Sequence, residues 1–218
     1  MGNSVLGIRE YVVQSGYSER QLPSIANSYS GKLIICGDAF GVYNDLELFG
    51  CRDDSGQGKV SKPGWDFMTV NKMVEVLPAH IEHCYSNSAS CLNRFCSARR
   101  DEYALEFGGP KHRHSMQGPC ENIWPLGGHG TSSLGAALVA VGLGYSRIVL
   151  CGVPLDDGPH NGEPYWRKTA FASSEAAGAV GSDRNSHWEM AKKVAFDGKV
   201  RSMSGRTRTW LGDAMEWK

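Results

Sequence analysis

Apolar residues in this chain gather into short unbroken runs separated by polar, glycine-containing stretches. Lys32-Leu33-Ile34-Ile35-Cys36, Asp66-Phe67-Met68-Thr69-Val70 and Ile148-Val149-Leu150-Cys151 are the clearest runs. A continuous apolar run of this length bounded by turn residues predicts a strand buried on both faces, as in a parallel sheet. Weaker strands are expected at His80–Tyr85, Asn122–Leu126 and Lys199–Met203. Helical spacing of Val5, Ile8, Tyr11 and Val12 predicts a helix over 4–14. Further helices are expected over Tyr43–Leu48, Ser88–Tyr103 and Ser186–Phe196, whereas PKHRHSMQGP, Pro110 to Pro119, reads as a loop.

The stretch Gly127 to Val153, GGHGTSSLGAALVAVGLGYSRIVLCGV, organises the pattern. A glycine-rich turn opens it, Thr131, Ser132 and Ser133 are candidate N-caps, and an Ala/Leu/Val/Gly helix leads into the strand at Ile148. Interior glycines cost a helix about 1 kcal/mol each relative to alanine, so Gly135 and Gly142 imply a close neighbour, such as a parallel sheet. Gly-rich turn, buried helix and buried strand make an α/β unit. The free N–H groups at the helix start can take an anion. The expected fold is a single Rossmann-like α/β domain over 1–218, a mostly parallel sheet with helices on both faces.

Composition narrows the function classes. The 218 residues suffice for one substantial core. Lys plus Arg and Asp plus Glu are both 23, so net charge does not indicate nucleic acid as a partner. No apolar run approaches the roughly 18 residues of a membrane span. The amino-terminal residues lack the apolar region of a signal peptide, and MGNSVL fits only a loose myristoylation pattern, discounted because position six is Leu6 rather than Ser or Thr. Seven cysteines without a framework spacing suggest reduced thiols and a cytoplasmic protein.

Three constellations could carry chemistry. His80, His83, Cys84, His112, His114 and Cys120 are residue types that bind zinc. On a strand, however, His80 and His83 point to opposite faces, and His112 and His114 read as loop histidines, so no metal is expected. A Cys or Ser nucleophile is excluded: GHGTSS is not a GxSxG elbow, and Cys36 and Cys151 fall within buried strands, where thiols are inert. The third is nucleotide binding where strand ends converge, at Gly37-Asp38, Asn71 and Thr131-Ser132, beside the loop from Asp156-Asp157 to Tyr165. Asn71 could bond a base or ribose, or cap the next helix. GDAFG is neither a dinucleotide fingerprint nor a P-loop.

The order GDAFG…TVN…GTSSLGAALVAVGLGYSRIVLCGVPLD…GSDRNSHWEMAKKVAF resembles the small bacterial sialyltransferases and the archaeal pterin-pyrophosphokinase-like proteins that share their Rossmann-like fold. The similarity is densest over 127–153 and spans about half of the 218 residues. GDAFGV stands where those proteins carry GNGPSL. Gly152-Val153-Pro154 replaces their Gly-Ile-Asp, so the first carboxylate is Asp156. Where the sialyltransferases carry a histidine base this chain reads Gly181-Ser182-Asp183, with His187 nearby.

The resemblance implies a nucleotide-binding transferase with a nucleotide-activated donor, glycosyltransferase-like, with a nucleotide or nucleotide-sugar as partner. The donor would lie among Gly37, Asp38, Asn71, Thr131 and Ser132, with Tyr165 reaching a phosphate. Asp156 and His187 are the candidate bases. His187 stands at the start of a helix, whose dipole favours the neutral, proton-accepting imidazole. In the alternative pyrophosphokinase reading, Asp156 and Asp157 would hold Mg²⁺. A binding or scaffold protein that kept only the fold is the third reading. The segment 154–182, with its glycines and prolines around polar and aromatic groups, is expected to act as a lid.

Overall fold

The computed structural model describes residues 3–16, 21–39, 41–51, 59–127, 131–155 and 186–218. Asp156, Tyr165 and nearly all of the expected lid lie outside the described residues. The strands are β1 (Lys32–Cys36), β2 (Trp65–Val70), β3 (His83–Ser86), β4 (His112–Ser115), β5 (Asn122–Ile123), β6 (Arg147–Cys151) and β7 (Val200–Ser202). They form one sheet in the order β5-β4-β3-β2-β1-β6-β7, with every pairing parallel. The chain runs outward from β1 to β5, then returns to the other side of β1 for β6 and β7. This is the doubly wound, Rossmann-like plan, with its topological switch between β1 and β6.

Alternate residues of the central strands feed two cores. Leu33, Ile35, Met68, Val70, Ile148 and Leu150 face α1 (Asn3–Gln14), α6 (Ser132–Leu143) and α7 (186–196), whose last turn, Lys192–Phe196, is π-helical. Ile34, Cys36, Phe67, Val149 and Cys151 face α2 (Val42–Leu48), α3 (Met73–Val76) and α4 (Ala89–Ser97). Past β7, α8 (Gly205–Leu211) and a 3₁₀ turn, Ala214–Trp217, finish the chain.

α6 is buried from Leu134 through Leu143. Its glycines do meet close neighbours, but these are aromatic rings rather than sheet backbone. A Cβ at Gly135 would run into the Tyr85 ring, and one at Gly142 into Trp124. The helix ends at Gly144, whose φ of 104° is the left-handed cap conformation that glycine adopts at low cost.

Three sequence expectations are corrected. Pro110–Pro119 is not all loop, because His112–Ser115 form β4 and pair in parallel with β3 and β5. The run was unrecognised because its polar side chains bond to groups on other segments, His112 to Glu121, Arg113 to Asn93 and His114 to His83, instead of following an apolar alternation. Ser88–Tyr103 breaks at Ala98–Arg100 into α4 and α5 (Asp101–Phe107). The cause is Arg99, which is buried and donates from Nε to Gly108 O at 2.9 Å, from Nη1 to Val74 O at 2.6 Å and Leu77 O at 3.2 Å, and from Nη2 to Ala79 O at 3.0 Å. One guanidinium thereby gathers carbonyls from α3, the α3–β3 connection and the end of α5. Finally, His80 precedes β3 and is exposed, while His83 is buried in the strand's first position.

Candidate functional site

In a parallel sheet every strand presents its carboxyl end to the same rim, and the loops there hold ligands. The rim of this sheet has a closed half and an open half. Over β1, β6 and β7 it is closed. Gly37 N–H continues the pairing to Cys151 O at 2.8 Å, and Ala39 N–H reaches Gly152 O at 3.2 Å. A Cβ on Gly37 would lie 2.6 Å from Val153 Cγ2, so only glycine fits between the two strand ends. Asp45 of α2 locks this half. Its buried carboxylate accepts Gly152 N–H and the Ser204 hydroxyl, each at 2.8 Å. Burial raises the Asp45 pKa, and these hydrogen bonds with the Arg208 charge pull it back. α8 adds Thr207, whose hydroxyl bonds Val153 O and lies 2.8 Å from Ser202 Oγ.

Over β2 and β3 the rim is open. Asn71 follows β2 directly, with φ of 53° in the left-handed region that asparagine tolerates better than most residues. Its N–H donates to Tyr85 O at 2.9 Å, carrying the β2–β3 ladder one residue past the strand. Lys72 is the N-terminal boundary residue of α3, which forms without a side-chain cap, so the expectation that Asn71 caps the helix does not hold. Asn87, unforeseen from the sequence, ends β3 and accepts the Tyr85 hydroxyl at 3.0 Å. On the α6 side, Thr131 is the N-cap, its Oγ1 accepting Leu134 N–H at 3.3 Å. Ser132 and Ser133 follow as the first helical residues, with first-turn N–H groups that have no intrahelical acceptor.

On the other face, beside α2 and α3, a cleft of about 420 Å³ opens at the rim. Asp38, Tyr43, Lys72, Glu75, Arg100 and Tyr103 line it with Val76. Lys72 Nζ lies 3.7 Å from Asp38 Oδ2. Tyr43 donates its hydroxyl to Val76 O at 3.0 Å. Glu75 titrates above the usual carboxylate range because it is desolvated, with Lys72 opposing the shift and Asp38 adding to it. Lys72, Arg100 and the two tyrosines were missed because they stand on separate elements that meet only in the fold, Tyr43 through its bond to Val76 O and the α3 and α4–α5 segments through the Arg99 bonds. Asp45 did leave a signal, since it shares helical spacing with Val42, Leu46 and Phe49, all buried.

The structure thus brings Gly37, Asp38, Asn71, Thr131 and Ser132 to one rim, with Asp38 opening to the α2/α3 face and Thr131-Ser132 to the α6 face. His187 lies in the first turn of α7 on the α6 face, its Nδ1 3.3 Å from the Tyr11 hydroxyl.

Of the histidines weighed as metal ligands and set aside, His83 and His114 are engaged at the opposite, amino edge. Trp124 Nε1–H donates to His114 Nδ1 at 3.1 Å, which puts the His114 proton on Nε2. That proton goes to His83 Nδ1 at 2.9 Å, His83 Nε2–H points to the Tyr145 hydroxyl at 3.0 Å, and Tyr145 donates to Asp66 Oδ2 at 2.7 Å. Burial, with charge on neighbouring histidines, pushes His83 down to about 2 and His114 down to about 3, so both are neutral. Among the described residues no group of three or more His, Cys, Asp or Glu could hold a metal ion.

No helix among the described residues is long and apolar enough to cross a membrane. No family model and no curated protein matches the chain. A search of solved structures found a likeness to the MAf glycosyltransferase of Magnetospirillum magneticum AMB-1, at 14% identity and a TM-score of 0.37. The alignment covers 74% of this chain, which spans only 29% of the length of that protein.

Proposed function

We propose that the chain is a nucleotide-binding transferase that uses a nucleotide-activated donor, with glycosyltransferase-like chemistry. The observation that carries this reading is the open half of the carboxyl rim. There a left-handed Asn71 follows β2, the first turn of a 12-residue helix capped by Thr131 opens on one face of the rim, and a cleft containing Lys72 and Arg100 opens on the other. First-turn N–H groups and two cations suit phosphate oxygens. Asn71, whose side chain has no hydrogen bond among the described residues, suits a ribose or base edge. In this reading Asp38 accepts a ribose hydroxyl, Tyr165 adds a phosphate contact, and the base is Asp156 or His187.

Isothermal titration with CMP-, UMP- and ADP-type nucleotides, and with ATP plus Mg²⁺, tests the proposal. A pyrimidine or purine nucleotide bound without metal supports the transferase. Binding only of ATP with Mg²⁺ favours pyrophosphoryl transfer, and binding of none leaves the fold as a scaffold. Ser132→Ala should then cost about 1 kcal/mol of affinity, one hydrogen bond, while Ser132→Phe abolishes binding without unfolding the chain. With a donor in hand, Asp156→Ala and His187→Ala identify the base. The true base loses turnover by roughly a hundredfold or more while affinity holds.

A further inference from the structure

Five of the seven cysteines fall into two sets with different surroundings. Cys36, Cys51 and Cys151 are buried in one core, and burial pushes all three thiols up, Cys51 to about 11. They are inert core residues. Cys84 and Cys96 differ. Cys84 is buried on β3, Cys96 is half-buried on α4, and their sulfurs are 3.8 Å apart. Beside them on β4, Arg113 stands opposite Cys84 in the sheet register and donates from Nη1 to Asn93 Oδ1 of α4 at 3.3 Å.

We propose that Cys84 and Cys96 are a reversible dithiol–disulfide pair, in which Cys96 meets a hydroperoxide first and Cys84 resolves it. Three features support this. The sulfurs are in contact already, and a disulfide needs them to close to about 2.05 Å, within reach of side-chain rotation and a small shift of α4. Cys96 is the partly exposed member, so a small oxidant reaches it from solvent while Cys84 stays shielded. The sulfur contact with Cys84 and the Arg113 and Arg99 charges pull the Cys96 thiol down, whereas the same contact and burial hold the Cys84 thiol up. The attacking thiolate and the resolving thiol are thus distinguished by their surroundings.

The chemistry balances with hydrogen peroxide as oxidant. The Cys96 thiolate attacks one peroxide oxygen, the O–O bond breaks, hydroxide leaves, and Cys96 becomes a sulfenic acid. Cys84 Sγ then attacks Cys96 Sγ. The S–O bond breaks, and the oxygen leaves as water with the Cys84 proton. Two thiols have lost two electrons and two protons, and the peroxide has become two waters.

The test is peroxide titration of the fully reduced native chain, followed by alkylation, tryptic digestion and tandem mass spectrometry. Cleavage after Arg94 places Cys84 and Cys96 in separate peptides. The expected product is one disulfide per chain joining those peptides through Cys84 and Cys96, reversed by dithiothreitol. Cys84→Ser should leave Cys96 as a sulfenic acid trapped by dimedone, and Cys96→Ser should slow the first oxidation at least tenfold. A bridge to Cys120 instead, uniform oxidation of all cysteines, or an unchanged rate in Cys96→Ser would overturn the proposal. Should Cys84→Ser fail to fold, the wild-type map and Cys96→Ser still decide it.

Discussion

The two edges of the sheet are built from similar residue types and put to opposite ends. At the amino edge, His83, His114, Tyr145, Trp124 and Asp66 form a chain in which each donor has one acceptor. Tyr29 closes over it, stacked on Tyr145 at 5.1 Å, and bonds Glu82, which pairs with Lys111 at 2.6 Å. At the open half of the carboxyl edge, Asn71, Lys72, Arg100 and the start of α6 face a cleft or solvent. A fully satisfied polar network rigidifies and specifies a core. Polar groups turned outward, one on a strained backbone position, are what a binding rim requires. The difference teaches that the histidines, the residues that first suggest chemistry, serve the fold, while less conspicuous residues form the candidate site.

Acid should break this contrast most severely. His83 and His114 stay neutral in the folded state, yet the unfolded chain binds protons at both below the ordinary value of 6.5. Their contribution is therefore complete above pH 6.5 and is lost as pH falls towards 3 and 2, by about 1.4 kcal/mol per pH unit for each histidine. Urea unfolding at steps from pH 7.5 to 4.5 measures it, and a flat profile would mean that the amino edge is not sealed. His83→Ala removes the middle of the chain, leaving the His114 donor without its acceptor and opening a cavity. A loss of about 3–4 kcal/mol is expected in denaturant unfolding, with nucleotide affinity of the folded protein unchanged.

Smaller effects sharpen the comparison. Gly142→Ala drives a methyl group into Trp124, the first donor of the chain, and should cost about 1–3 kcal/mol in thermal unfolding. At the other edge, Asn71→Gly should do the reverse. Glycine takes the left-handed conformation freely, so stability should rise by about 0.5 kcal/mol while nucleotide binding weakens. A destabilised Asn71→Gly variant with intact binding would move Asn71 from the site to the fold.

Much of the scaffold was legible. Unbroken apolar runs marked β1, β2 and β6 to within a residue, because a strand buried on both faces cannot include polar residues without partners. The Gly-rich helix before β6 was legible for the same reason, and Thr131 proved to be one of its three candidate caps. β4 was illegible. Its burial is carried by His114 and Ser115, polar residues whose partners come from β3, β5 and the segment after it, so nothing local announced a strand. The break between α4 and α5 was hidden likewise, since Arg99 looks like an ordinary surface arginine until its acceptors at Val74, Leu77 and Ala79 are in place.

By itself, then, the sequence determined the α/β class, the central strands and the residues Gly37, Asp38, Asn71, Thr131 and Ser132 that fall at one rim, because burial and turn chemistry act over a few neighbouring positions. Tertiary structure alone decided that His83 and His114 bond each other, that Asp45 locks β6 to α2, and that Lys72, Arg100 and Tyr103 share a cleft. Each depends on groups brought together from distant parts of the chain, and a side chain's partner, which sets its charge and its role, is a property of the folded neighbourhood.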